Sequence, residues 1–172
     1  MTTYEGRLLV ATPSLLDPNF ARSVVLLIQH DEDGALGVVL TRPSESPLAD
    51  HLPELGARAA APDVVFVGGP VEPEVALGFE LGEDGEFVVP GVRMLNVVEP
   101  SGDAPCRVFS GYAGWGPGQL EGELSEGAWY VVDALAGDVF SIDPEGLWAE
   151  VLRRQPGRLA WLATYPPDPS LN

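Results

Sequence analysis

Lysine is absent from this chain: all nine basic side chains are arginines, set against 26 carboxylates. That excludes a lysine Schiff base and any P-loop that depends on a lysine. Cysteine is nearly absent as well. The single Cys106 cannot form an internal disulfide, and a reducing compartment is the natural expectation. Histidine is scarce, with only His30 and His51, and the two fall in different expected elements. A metal site needs about three protein ligands in fixed geometry, so no metal and no cofactor is expected. No apolar run reaches the about 20 residues needed to cross a bilayer, and no basic, apolar signal segment opens the chain. The expectation is a cytoplasmic protein without membrane attachment, either a monomer or a weak homodimer.

Positive charge is the other shortage. The formal net charge is −17. Apart from Arg153, Arg154 and Arg158, which suit a helix C-terminus, the arginines are scattered. Nucleic-acid binders draw much of their affinity from neutralising phosphates, so direct DNA or RNA binding is not expected.

What the chain does have is apolar material: of its 172 residues, 45% are hydrophobic and 20% charged, enough for one domain with a real core. Residues 6–12, 22–30, 35–42, 64–67, 107–112 and 128–132 read as strands, because apolar runs end at Gly, Pro or Asp signals. Asp33-Gly34 marks a hairpin between the second and third of these. A second hairpin is expected between residues 75–81 and 86–89, a strand over 138–142, and helices over 47–55 and from Asp143-Pro144 to Gln155. Many strands with few helices point to an α/β or α+β domain built on a mixed sheet.

The segment 109–121 (FSGYAGWGPGQLE) is the most unusual stretch. Its glycines allow positive φ or close approach, and its two aromatics suggest a shaped loop. In the functional reading Tyr112 and Trp115 form a pocket wall, Gly114 and Pro117 shape it, and Gln119 and Glu121 supply polar contacts. In the bland reading the aromatics plug the core. Ser110 lacks the glycines of a nucleophile elbow, since Val108 and Tyr112 occupy those positions. Cys106 beside Arg107 is a weak nucleophile candidate. Glu121 with Glu123 is a pair that chance alone supplies in so acidic a chain. Gly68-Gly69-Pro70 reads as a structural turn.

These residues carry a resemblance to the YqgE/AlgH family of bacterial proteins. It covers residues 6–12, the turn Asp17-Pro18-Asn19-Phe20, residues 23–30 and 34–40, Arg42-Pro43, Gly68-Gly69-Pro70-Val71, the run from Gly111 to Glu121, Trp129, and the terminal Pro169-Ser170-Leu171-Asn172. Thr41 stands where members of that family usually carry asparagine, so no role of that amide is carried over. The resemblance implies a bifurcated mixed sheet folded into a partial barrel with packed helices. It implies no established enzymatic activity, and a transcriptional-regulator label in some members. With the 109–121 segment it adds Gly69, Asp17, Asn19 and His30 to the ligand- or partner-binding candidates. The leading expectation is a non-enzymatic binding or regulatory module, acting on a small molecule or a protein. The alternatives are an enzyme using His30, Tyr112 and Glu121, and an indirect regulator of transcription.

Overall fold

The computed structural model describes residues 2–83 and 85–166. The expected hairpin is present: β2 (Val24–Asp31) returns as β3 (Gly34–Val39). β1 (Arg7–Ala11) lies antiparallel beside β2, and β9 (Trp129–Asp133) antiparallel beside β1. Side chains alternate between two cores. Leu8, Val10, Val24, Leu26 and Val38 face one, while Leu9, Ala11, Val25, Leu27 and Val39 face the other. Burial on both faces is why these strands read as continuous apolar runs.

β8 (Cys106–Trp115) is the branch point of the sheet. Its first half lies between β5 (Val64–Val67), which it pairs in parallel, and β6 (Val71–Leu81), which it pairs antiparallel. Its last three residues pair with β3 instead. β4 (Pro43–Pro47) extends the sheet beyond β5, and β7 (Val92–Leu95) lies on β6. The result is a mixed, branched sheet that does not close. Prolines at both ends of β4 are tolerated because it is an edge strand.

Short helices fill the remaining surfaces: α1 (Pro53–Gly56), α2 (Gln119–Ser125), α3 (Ala136–Val139), α4 (Leu147–Arg153) and α5 (Arg158–Leu162). None of the helices among the described residues is long and apolar enough to cross a membrane. Four expectations need correction. The partner of β6 is β7, not residues 86–89. The helix over 47–55 is split at Leu52-Pro53 into a 3₁₀ turn and α1. The strand over 138–142 is replaced by α3, because the buried Asp138 carboxylate accepts the Leu135 N–H at 2.8 Å and both Arg154 Nη atoms at 2.6 Å. Tertiary ion pairing overrides strand propensity there. Finally, α5 arises in a tail that carried no helix expectation.

Arg107 ties these pieces together. It is 2% exposed, and its guanidinium lies 4.4 Å over the Phe66 ring. Its Nη1 donates to the carbonyls of Val139 and Ser141, both at 2.9 Å, and Nη2 to that of Ala61 at 2.7 Å. Burial pushes its pKa down to about 10. Replacing Arg107 by Met keeps the apolar stem and removes the donors, leaving the carbonyls of Ala60, Ala61, Val139 and Ser141 without this partner. We expect Arg107→Met to lower unfolding free energy in urea by at least ~2 kcal/mol. A loss within the ~0.5 kcal/mol of an ordinary surface change would show that water replaces the guanidinium there.

Candidate functional site

The expected loop over 109–121 is mostly not a loop. β8 continues to Trp115, α2 begins at Gln119, and only residues 116–118 lie between. Two of the glycines exist for close approach. Gly111 has φ +73°, and a Cβ there would stand 2.7 Å from the Gly69 carbonyl oxygen. At Gly69 a Cβ would stand 2.1 Å from the Tyr112 carbonyl carbon. The two glycine-containing segments are therefore pressed backbone to backbone.

Trp115 is only 6% exposed, so it belongs to the core and not to a pocket wall. It packs against Phe20 and Trp129, with ring centroids 6.3 and 6.2 Å away. Glu123 Oε1 accepts the indole N–H of Trp115 at 3.1 Å and that of Trp129 at 2.9 Å. Gln119 braces the same corner, accepting the Gly116 N–H at 2.9 Å and donating to Glu123 at 3.0 Å. Tyr112 and Gly114 alternate with Ala113 and Trp115 and face the other way, and the Tyr112 hydroxyl donates to Glu72 at 3.0 Å. That bond, first among the causes, pushes the Tyr112 pKa up. Pro117 is exposed in the short turn.

His30 and Glu121 do come together, with His30 Nε2 at 2.6 Å from Glu121 Oε1. The Tyr4 backbone N–H donates to His30 Nδ1 at 3.0 Å, so the ring proton sits on Nε2 and is donated to the carboxylate. The Tyr4 ring stacks on the imidazole at 5.5 Å. With both nitrogens engaged and the side chain 1% exposed, His30 is a cross-link joining the N-terminal segment, β2 and α2. Tyr112 is not part of this pair. Cys106 is buried, which pushes its thiol pKa up, and its Sγ lies 3.5 Å from the Leu55 carbonyl. Ser110 is bound to the Pro73 carbonyl.

A cleft of about 740 Å³ opens elsewhere, at the far end of the β2–β3 hairpin from its turn. Its walls come from the 18–22 turn, residues 41–43, Gly69-Pro70 and the start of α4. Asn19 and Gly69, two of the residues singled out in the sequence, line it. Asp17 shapes the turn from behind, its carboxylate accepting the Asn19 N–H at 2.8 Å and its carbonyl the N–H of Ala21 at 2.7 Å. Phe20, held between Trp115 and Trp129, anchors the same turn to the core.

The sequence reading missed the cleft's two arginines, Arg22 and Arg42, and gave Thr41 no role. Arg22 has φ +56°, a region that costs a non-glycine residue about 1–3 kcal/mol. Its guanidinium lies 4.0 Å over the Trp148 ring and donates to the Tyr165 carbonyl at 2.9 Å. Burial pushes the Arg22 pKa down. Arg42 donates to the Ala21 carbonyl at 2.8 Å. Thr41 is 4% exposed, and its Oγ1 has no hydrogen-bond partner among the described residues. The hairpin register does not reach them, since β2 begins at Val24 and β3 ends at Val39, and it is the Arg42 bond to the Ala21 carbonyl that sets Arg42 beside the turn carrying Arg22.

Residues 8–160 match the family model described as AlgH-like. A UPF0301 protein of Streptomyces coelicolor is 53% identical, over 100% of this chain and 97% of that protein. A UPF0301 protein of Mycobacterium leprae is 43% identical, over 97% of this chain and 90% of that protein. Among solved structures, a crystal structure of a protein from Corynebacterium diphtheriae superposes with a TM-score of 0.86 at 30% identity, covering 96% of this chain and 94% of that one. The solution structure of the AlgH protein from Pseudomonas aeruginosa gives 0.69 at 29% identity, covering 96% and 95%. The terminal residues 169–172 that contributed to the sequence resemblance lie outside the described residues.

The His30 bond holds the Glu121 pKa below the usual carboxylate range. A lowered carboxyl pKa adds stability above the unfolded value, which is lost as pH falls through the folded one. Wild type should therefore exceed Glu121→Gln in urea stability near neutral pH, and the gap should close in acid below the carboxylate range. A gap independent of pH would mean that the charge of Glu121 is not what His30 recognises.

Proposed function

The chain belongs to the AlgH-like family, and on that premise we propose that it is a non-enzymatic binding module whose ligand is a small molecule held in the cleft between the 18–22 turn and α4. The observation that carries this reading is the Thr41 hydroxyl, buried in the cleft wall without a partner. A buried polar group left unpaired costs about 1–3 kcal/mol, and a ligand atom that meets it recovers that energy. The volume of about 740 Å³ suits a ligand of metabolite size.

The candidate enzyme residues support binding over catalysis. His30 has both ring nitrogens engaged, Cys106 has a thiol disfavoured as thiolate by burial, and Ser110 is turned to a backbone carbonyl. In this reading the Gly111–Glu121 segment is the frame of the site: it carries the Trp115 packing that fixes the Asn19 turn. In this reading the protein acts in the cytoplasm, as a monomer or a weak homodimer. Any effect on transcription runs through the bound ligand or a protein partner, because a net charge of −17 repels DNA phosphates.

Thr41→Val separates binding from folding. Without ligand the variant should unfold at the wild-type temperature or above, since a methyl replaces an unpaired hydroxyl. In a thermal-shift screen against a broad metabolite panel, a ligand at 100-fold its Kd stabilises wild type by roughly 2.7 kcal/mol. That increment should fall in Thr41→Val. A panel with no hit, or hits insensitive to both Thr41→Val and the cleft-filling Ala149→Leu, would overturn the proposal.

A further inference from the structure

The cleft brings into one lining two arginines, Arg22 and Arg42, that have no salt-bridge partner among the described residues. Arg7 pairs with Asp133, Arg58 and Arg93 share Glu80, and Arg154 holds Asp138. Arg107 is engaged by backbone carbonyls. Arg153 and Arg158 are exposed on α4 and α5, outside this cleft. Arg22 and Arg42 differ in lining it: among the described residues, each makes a single hydrogen bond, to a carbonyl, and neither has a carboxylate within salt-bridge distance. Both line the same cleft, where Glu145 is the lone carboxylate among the lining residues.

The backbone brings these two cations together. The hairpin ladder ends where the Leu40 N–H bonds the Val24 carbonyl at 2.8 Å, and beyond it Arg42 donates to the carbonyl of Ala21, the residue next to Arg22. Both side chains therefore belong to the wall of one cleft. Arg22 is moreover held in a left-handed conformation that disfavours its side chain. Trp148 fixes its guanidinium from one side, and the Trp148 indole is itself pinned by donating to the Ala11 carbonyl at 2.8 Å. Each guanidinium carries five N–H donors in a planar fork, suited to carboxylate and phosphate oxygens.

We propose that the ligand of this cleft carries an oxyanion, a phosphate or carboxylate group, gripped between Arg22 and Arg42 with Thr41 Oγ1 as an additional contact. The inference rests on the binding-module reading of the cleft and names the chemistry it selects. The anion supplies the counter-charge that neither arginine has among the described residues and gives the Thr41 hydroxyl an acceptor. Glu145 opposes an anion, so it limits affinity.

Isothermal titration at low ionic strength with inorganic phosphate, pyrophosphate and citrate tests this. Saturable binding by at least one probe is expected, weakening with added salt. Phosphate probes binding where citrate does not identifies a phosphorylated ligand, and the reverse a carboxylated one. Arg22→Gln and Arg42→Gln should each weaken binding by about tenfold or more, with partial recovery in Arg42→Lys. Glu145→Gln alters an exposed side chain and should tighten binding about threefold, the effect of removing one unit charge several ångströms away through water. No saturable binding by any probe, or unchanged affinity in all three glutamine variants, overturns the anion. A neutral metabolite whose stabilising shift is lost in Thr41→Val would overturn the anion while leaving the binding module standing.

Discussion

The buried guanidinium of Arg107 is the interaction on which the assembly of this domain depends. It emerges from β8 and gathers carbonyls from two distant stretches, the 60–61 connection and the 139–141 segment. Both stretches lack a regular ladder of their own, so their carbonyls need a donor from elsewhere. A lysine, with three donors on a single nitrogen, could not serve these four acceptors. The ion is compensated by dipoles and by the Phe66 ring, not by a carboxylate. It therefore orders backbone, and α3 and α4 take their positions from a strand across the molecule.

The same strand supports the cleft from its other end. Where β8 meets β3, Trp115 and Trp129 share Glu123 and clasp Phe20, the residue between Asn19 and the Ala21-Arg22 pair. Gly69 reaches the cleft because it lies flat on the Tyr112 backbone. The conspicuous glycine–aromatic run thus acts at one remove: it holds the turn that presents the polar groups. A rigid core under a polar rim keeps recognition geometry fixed before a ligand arrives, which reduces the entropy lost on binding.

Much of this was legible in the residues, and the parts that were not have physical reasons. The β2–β3 hairpin followed from Asp33-Gly34 between apolar runs, and the mixed sheet from the number of strands. The extent of β8 was obscured because its glycines serve contact with residues 68–69, a pairing that one-dimensional composition does not reveal. The strand expected over 138–142 failed because a buried Asp138–Arg154 pair, 16 residues apart, decided the local conformation. Asn19 and Gly69 were found through their motif, but Arg22 and Arg42 were passed over as scattered charges. Their common place comes from the fold of the 18–22 turn, whose Ala21 carbonyl accepts from Arg42. His30 and Glu121 were named together as possible chemistry, and their contact is real, but a donor on one side of the imidazole and an acceptor on the other leave it as a joint.

The three-way junction at β8 also bears on how the chain reaches this fold. β1, β2 and β3 are neighbours in sequence and can pair early through short loops. β8 must instead find β3, β5 and β6, each separated from it by tens of residues, and the β5 contact is parallel. Those loop closures come before the packing that rewards them, which places the domain among slow, high-contact-order folders. Until β8 docks, the apolar faces of β3 and β5 stay open to water and to other chains, and the abundant carboxylates keep such intermediates apart.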